Sequence, residues 1–329
     1  MLDLNRLKIL INKHRFLSLG SVVVVLLVII VIAVPSQPKT TRPLLPGQKI
    51  IPTTTPIQPT LYSPPNTIDL SQTENTVGVN EATSYLIPPN TTISLTTKNI
   101  LTQFQLPTEP ENINTQFIQV QTWRGPNYYL SHNLFAHQIS LGRNDETKIA
   151  KTGAFRSPTS LASDATSLVN SLAVFALEIK FKLERYSYLS AGERPEPTDS
   201  SKAQIIQLVL TPQIDNWPVY QQEIPFIEAT YDRANKLVKL TITNPIPAFT
   251  KSAAQPIATV NQLKARPSAE FFRLFVKPET ADQYFLSAPD IRALNPNRLS
   301  LGFFLRNSTL APIYLLESNN YLYATKAFE

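Results

Sequence analysis

Three histidines, no cysteine and 24 acidic residues are the reactive stock of this 329-residue chain. His132 and His137 stand five apart, which on a strand places them on opposite faces, and no cysteine or carboxylate cluster completes a ligand set. The carboxylate pairs Glu109/Glu111, Asp145/Glu146 and Glu193/Glu196 fall in proline-rich or polar loops. There they are expected to be solvated rather than poised for acid–base work. No Gly-x-Ser-x-Gly elbow is present, and Gly125, Gly142, Gly153 and Gly192 are isolated, so neither a serine hydrolase nor a phosphate cradle is indicated. The expectation is a protein that is not an enzyme, with no catalytic residue, no cofactor and no metal. Asn90-Thr-Thr92 and Asn307-Ser-Thr309 fit the glycosylation pattern, and otherwise read as surface polar residues.

Aromatic side chains are the remaining signal. Trp123, Tyr128, Tyr129, Trp217, Tyr220, Tyr284, Tyr314, Tyr321 and Tyr323 gather around expected hairpins. Two readings stand side by side. Either they pack the core and its rims, or part of the set, with Trp123, Tyr128, Trp217, Tyr220 and Tyr314 as candidates, forms an exposed strip that binds a protein. A free sheet edge would serve the same end by strand addition.

These residues need elements to hold them. Ile100, Leu101 and Phe104 have helical spacing over 97–105, with Pro107 beyond, and strands are expected at 116–123, 128–132 and 136–142. Ser157 followed by Pro158 reads as a cap and first helical position ahead of 161–175, where Leu161, Leu168, Leu172 and Phe175 share a stripe. Strands are then expected at 179–190, 203–211, 225–231 and 236–243. In the last two, Ile227, Ala229 and Tyr231 share a face, as do Val238, Leu240 and Ile242. The connector Asp232 to Lys236 is short and polar, with Asn235 suited to a left-handed conformation. A short helix over 259–265 precedes strands near 271–277, 299–306, 312–317 and 321–328. The pattern predicts an α+β fold of three repeated units, each a helix followed by antiparallel strands, over 78–152, 153–250 and 251–329.

The N-terminal residues carry a different signal. Residues 16–34 are 19 without a charge, enough for roughly 28 Å of helix, about the thickness of a bilayer's hydrocarbon core. Arg6, Lys8, Lys13 and Arg15 precede them, with Asp3 alone opposing, so a short tail, 1–15, is expected in the cytoplasm and the rest outside a cell membrane crossed once. The apolar stretch is long for a cleaved signal and lacks a small-x-small site before Pro35, which favours an uncleaved anchor. Without those five charged residues, three of the six net positive charges remain, too few to imply nucleic acid. Residues 35–77 form a proline- and threonine-rich linker, read either as an extended stalk or as plain disorder.

A resemblance to a known family enters at the 215–242 stretch. Asn216-Trp-Pro-Val-Tyr220, then a strand, then Asp232-Arg-Ala-Asn-Lys-Leu-Val238, resembles the hairpin of PepSY-like domains, with Asn235 where that family has glycine. Residues 257–263, 299–303 and 310–314 resemble its short helix and closing strand pair, and 100–123 an earlier copy. With the expected anchor, the chain is similar over roughly 98–329 to the YycH/YycI-like regulators. That resemblance implies a non-enzymatic, membrane-anchored extracytoplasmic protein that binds and regulates or scaffolds another envelope protein. The alternatives are an envelope hydrolase or a structural component of cell division or envelope assembly.

Overall fold

A computed structural model describes residues 64–88, 98–115, 119–145, 149–191, 195–221, 224–276, 293–319 and 321–328. The chain divides into two units, Met1–Thr54 and Thr55–Glu329, and all the described residues belong to the second.

In chain order the elements begin with β1 (Thr67–Ile68), β2 (Glu74–Asn75), β3 (Glu81–Leu86) and helix α1 (Lys98–Gln103). An antiparallel run follows: β4 (Glu111–Asn114), β5 (Gln119–Arg124), β6 (Tyr128–Asn133) and β7 (Gln138–Arg143). After helix α2 (Pro158–Ser171) come β8 (Lys180–Leu189), β9 (Ile205–Ile214), β10 (Trp217–Tyr220), β11 (Ile227–Asp232), β12 (Leu237–Thr243) and β13 (Thr250–Pro256). Helix α3 (Val260–Ala265) leads to β14 (Phe272–Val276), β15 (Ala293–Leu294), β16 (Arg298–Arg306), β17 (Thr309–Glu317) and β18 (Tyr321–Lys326).

Local chemistry explains most of these boundaries. Ser157 caps α2 by accepting from the Ser160 amide at 3.2 Å, with Pro158 at the first turn. The helix stops at Ser171 because Ala173 turns left-handed at φ 51°, yet Leu161, Leu168, Leu172 and Phe175 are all buried as one stripe. Thr259 and Gln262 form a reciprocal capping box on α3. Between β11 and β12, Asn235 takes φ 57°, and the buried Asp232 carboxylate accepts from the Ala234 and Lys236 amides and from Arg143 at 2.9 Å.

Strand register then builds the core. Leu208, Ala229, Leu240, Leu141, Leu130 and Trp123 lie side by side across β9, β11, β12, β7, β6 and β5. All six are buried in the main cluster with α2. The adjacent row, Val209, Glu228, Thr241, Ser140, Ser131 and Thr122, gives the opposite face its polar character. Val238 leaves its expected face because the register slips between Thr230 and Tyr231 and passes over it. It packs instead with Leu189 and Ile205.

The expected α+β repeats are not what forms. The described residues fold as a mostly β, sheet-rich structure, with three α-helices against eighteen strands. Strands assigned to separate units share hydrogen bonds: β7 pairs with β12 at Ile139 and Ile242, and β10 pairs with β16 at Val219 and Phe303. One sheet path therefore runs β13-β3-β17-β16-β10-β9-β11-β12-β7-β6-β5-β4, with β8, β2, β18 and β14 off it. Helical and strand periodicity are local properties, whereas pairing across a hundred residues is not, so a sequence with a repeating local pattern folds here into a continuous sheet. β1 and β2 are parallel strands within residues that composition placed in the linker.

The expected membrane-spanning helix, residues 16–34, lies outside the described residues. Among those described, no helix is long and apolar enough to cross a membrane. The single-pass, membrane-anchored, extracytoplasmic placement therefore has no support in the structure and is set aside.

Candidate functional site

The junction between the two halves of the sheet is a four-residue strand. Asp215 (φ 52°) and Asn216 (φ 66°) form a two-residue hairpin loop with both residues left-handed, the geometry that matches strand twist. β10 then pairs back on β9 only at Trp217 and Pro218. The ladder ends there, and Val219 and Tyr220 pass instead to a parallel ladder with Phe303 and Phe304 of β16. Gly302 permits this approach: a Cβ there would stand 2.9 Å from the Pro218 carbonyl oxygen and 2.8 Å from Leu315 Cδ1.

A second irregularity lies on β8. Its register against β9 slips between Leu183 and Arg185, so Glu184 is an extra residue, and neighbouring side chains are turned toward one side. Glu184 accepts from the Thr211 hydroxyl. It also hydrogen-bonds the Tyr220 phenol, and the charge of Glu317 on β17 acts on the same phenol more weakly. Burial first, then these two carboxylates, hold the Tyr220 proton far above the usual phenol range, with Arg185 pulling the other way.

Around Tyr220 opens a cleft of about 650 Å³. Residues Lys182 to Ser187 of β8 line it without a gap, as do Thr76 to Val79. Trp217 and Pro218 of β10, Arg298, Ser300 and Leu301 of β16, and Leu315 and Glu317 of β17 complete it. Its cations, Lys182, Arg185 and Arg298, stand among the carboxylates Glu184 and Glu317, and Arg298 is the direct cross-strand partner of Glu317.

Of the five aromatic candidates, the cleft brings two together. Trp217 is half-buried, with its ring 5.4 Å from Phe303, and Tyr220 is half-buried over the small cluster of Leu315, Leu322 and Phe272. The other three do not form a strip. Trp123 is buried in the main core. Tyr128 lies 4.8 Å edge-on to Phe104 and donates to the Leu237 carbonyl oxygen at 3.2 Å. Tyr314 is buried in the second core and donates to the Ala258 carbonyl oxygen. Their periodicity suits either face of a strand, and register sends them inward. Tyr284 lies outside the described residues.

His132 is buried and held below the ordinary imidazole value, by burial first and then by His137, while His137 is exposed. Glu109 and Glu196 are exposed in loops and Glu111 is exposed at the start of β4, not in the loop expected for it; none of the three lines the cleft. Among the described residues no group of three or more His, Cys, Asp or Glu could hold a metal ion. The charges that do converge, Lys182, Glu184, Arg185, Arg298 and Glu317, were missed. The one signal for the first three was KFKLERY, a strand-length run unusually rich in charge for a segment expected inside a sheet.

No family model and no curated protein matches the chain. Among solved structures, an uncharacterized protein from Eubacterium rectale is similar at 10% identity with a TM-score of 0.42, over 76% of this chain and 84% of that one.

Proposed function

We propose that this protein is a binding module, not an enzyme, and that the cleft at β10 holds an extended segment of another protein, which it regulates or scaffolds. The observation that carries this reading is the unbroken run Lys182 to Ser187 along the cleft. Consecutive residues of a strand line one cleft where it runs along the strand's edge, and the extra residue Glu184 adds to that exposure. Among the described residues β8 pairs with β9, and beyond that it makes only a bridge from Leu189 to Pro197, past the run that lines the cleft. An edge with a ring or apolar side chain beside it and charges of both signs suits strand addition, with backbone hydrogen bonds for affinity and side-chain pockets for selection.

A library of extended decapeptides screened against the full chain tests this. Binding is expected at micromolar strength, lost when alternate peptide amides are N-methylated, and weakened about tenfold or more by charge reversal at the exposed Lys182 (Lys182→Glu). A library with no binder, or one bound equally by K182E and after N-methylation, overturns it.

The hydrolase reading keeps one supporting observation, the Glu184 carboxylate hydrogen-bonded to the Tyr220 hydroxyl in a cleft that Glu317 also lines. A phenol whose proton is held this tightly is a poor nucleophile and a poor acid, which favours binding. Cleavage of a fluorescence-quenched version of the same library, abolished by Glu184→Gln or Glu317→Gln, would reverse that preference.

A further inference from the structure

The wall of the cleft formed by Thr76 to Val79 is the end of a segment attached to the body in an unusual way. Residues 67–79 run beside the C-terminal half as two parallel ladders of two residues each, Thr67–Ile68 on Ala293–Leu294 and Glu74–Asn75 on Arg298–Leu299. The Asp69, Glu74 and Thr76 amides donate to the carbonyl oxygens of Leu294, Asn297 and Leu299 at 3.0, 3.0 and 2.9 Å. Each ladder is cut short by a side chain. Asp69 accepts from the Ser71 amide at 2.8 Å and Asn75 from the Val77 amide at 3.0 Å, so the backbone turns off the edge after two residues.

One side chain of the segment, Leu70, is buried. Ile68 and Val77 pack at the rim of the second core, Val79 is 42% exposed, and a Cβ at Gly78 would meet nothing within 4 Å. The opposite edge of β16 is paired with β17 at nine consecutive residues. The Thr73 and Thr76 hydroxyls add bonds to the Pro296 and Leu299 carbonyl oxygens, each at 2.9 Å, yet with one buried side chain in thirteen residues the segment has the mark of one that opens locally, well below the cost of global unfolding.

We propose that residues 67–79 are a built-in strap: they occupy the β16 edge at Arg298–Leu299 and wall the cleft, and an extended polypeptide enters by displacing them. The proposal rests on the cleft-binding reading and adds its regulation. Lifting the strap frees the Asn297 and Leu299 carbonyl oxygens and removes the wall formed by Thr76 to Val79. An incoming strand then finds, on one side of the cleft, the acceptors that the strap had used. Apparent affinity is set by the fraction of molecules with the strap lifted.

Backbone hydrogen exchange on the full chain tests the strap without any ligand. The Asp69, Glu74 and Thr76 amides should exchange far faster than those of the β16–β17 ladder. Leu70→Ala should accelerate these three about thirtyfold or more and leave β11–β12 unchanged. A cysteine pair at the facing positions Thr67→Cys and Ala293→Cys, free of native competitors, should slow Asp69 when oxidised and release it when reduced. A fluorescent synthetic peptide of residues 67–79 should bind L70A about tenfold or more tightly than the unaltered chain. Strap amides that exchange together with β16–β17, or equal capture of the peptide by both chains, overturn the proposal. Failure of the decapeptide library would sink the binding reading alone and leave the exchange result standing.

Discussion

The Tyr85 hydroxyl donates to Asp215 Oδ2 at 2.5 Å, joining β3, early in the chain, to the loop from which β10 departs. The tyrosine ring is buried edge-on between Phe249 and Phe303, at 5.1 and 5.2 Å. One residue therefore fixes the hairpin loop and packs against the strand that β10 joins. Tyr85→Phe retains both ring contacts and removes the bond to a charged acceptor, so it should cost about 1.5–3 kcal/mol in the denaturant midpoint. If the bond also positions β10, Tyr85→Phe should lower Trp217 quenching by a cleft ligand, which a merely global loss of stability would not do in the folded range.

Among the described residues, Tyr85, Tyr220, Tyr231 and Tyr314 are held above the ordinary phenol value, each chiefly by burial. A phenol with a raised folded value keeps its proton when the unfolded chain has lost it. The unfolded state then binds fewer protons above about pH 10, and stability falls as pH rises through that region. Absorbance of phenolate at rising pH should show these four tyrosines ionising only as the fold is lost. Ionisation of the four in a chain whose circular dichroism is still that of the folded state would contradict it.

The β11–β12 turn is riveted rather than free. Arg233 donates to the carbonyl oxygens of Ala203, Gly153, Ser200 and Ser201, at 2.5, 3.0, 3.0 and 2.7 Å, with its guanidinium 5.3 Å over the Phe155 ring. Gly153 sits at φ 120°, and a Cβ there would lie 2.4 Å from the Arg233 carbonyl oxygen. Gly153→Ala thus meets a backbone clash and a conformation closed to L side chains, and should cost at least about 2 kcal/mol in thermal or denaturant unfolding. A neutral result would mean the turn yields.

Much of this was legible in short windows. The α2 cap at Ser157, the left-handed Asn235, and the apolar faces of Ile227–Ala229–Tyr231 and Leu240–Ile242 follow from residues within a few positions of each other. What failed depended on distant partners. The two readings of Trp123 and Tyr314 stay open in sequence for that reason, since one lies beside Leu130 in the main core and the other donates to a carbonyl 56 residues away. β2 is two residues long and carries no pattern of its own; β16 makes it a strand. The cleft was invisible for the same reason, since Glu184 and Glu317 are 133 positions apart and line one cleft because β10 changes partners after Pro218.

That change of partners makes Gly302 the position where fold and cleft are most tightly joined. Its hydrogen faces the Pro218 carbonyl oxygen and Leu315, one on β10 and one on the cleft lining. Leu315 can shift its terminal methyl, but the Pro218 carbonyl is backbone, so a Cβ must push β10 away from β16. Gly302→Ala should therefore cost about 1–3 kcal/mol in stability and displace Trp217 and Tyr220 together. The measurements are a denaturation curve and the fluorescence maximum of Trp217 under folding conditions, read in a Trp123→Phe background so that one indole reports. A shifted maximum with weakened peptide binding is the expected outcome. Unchanged emission and affinity in a folded G302A protein would show that the junction strand does not position the cleft.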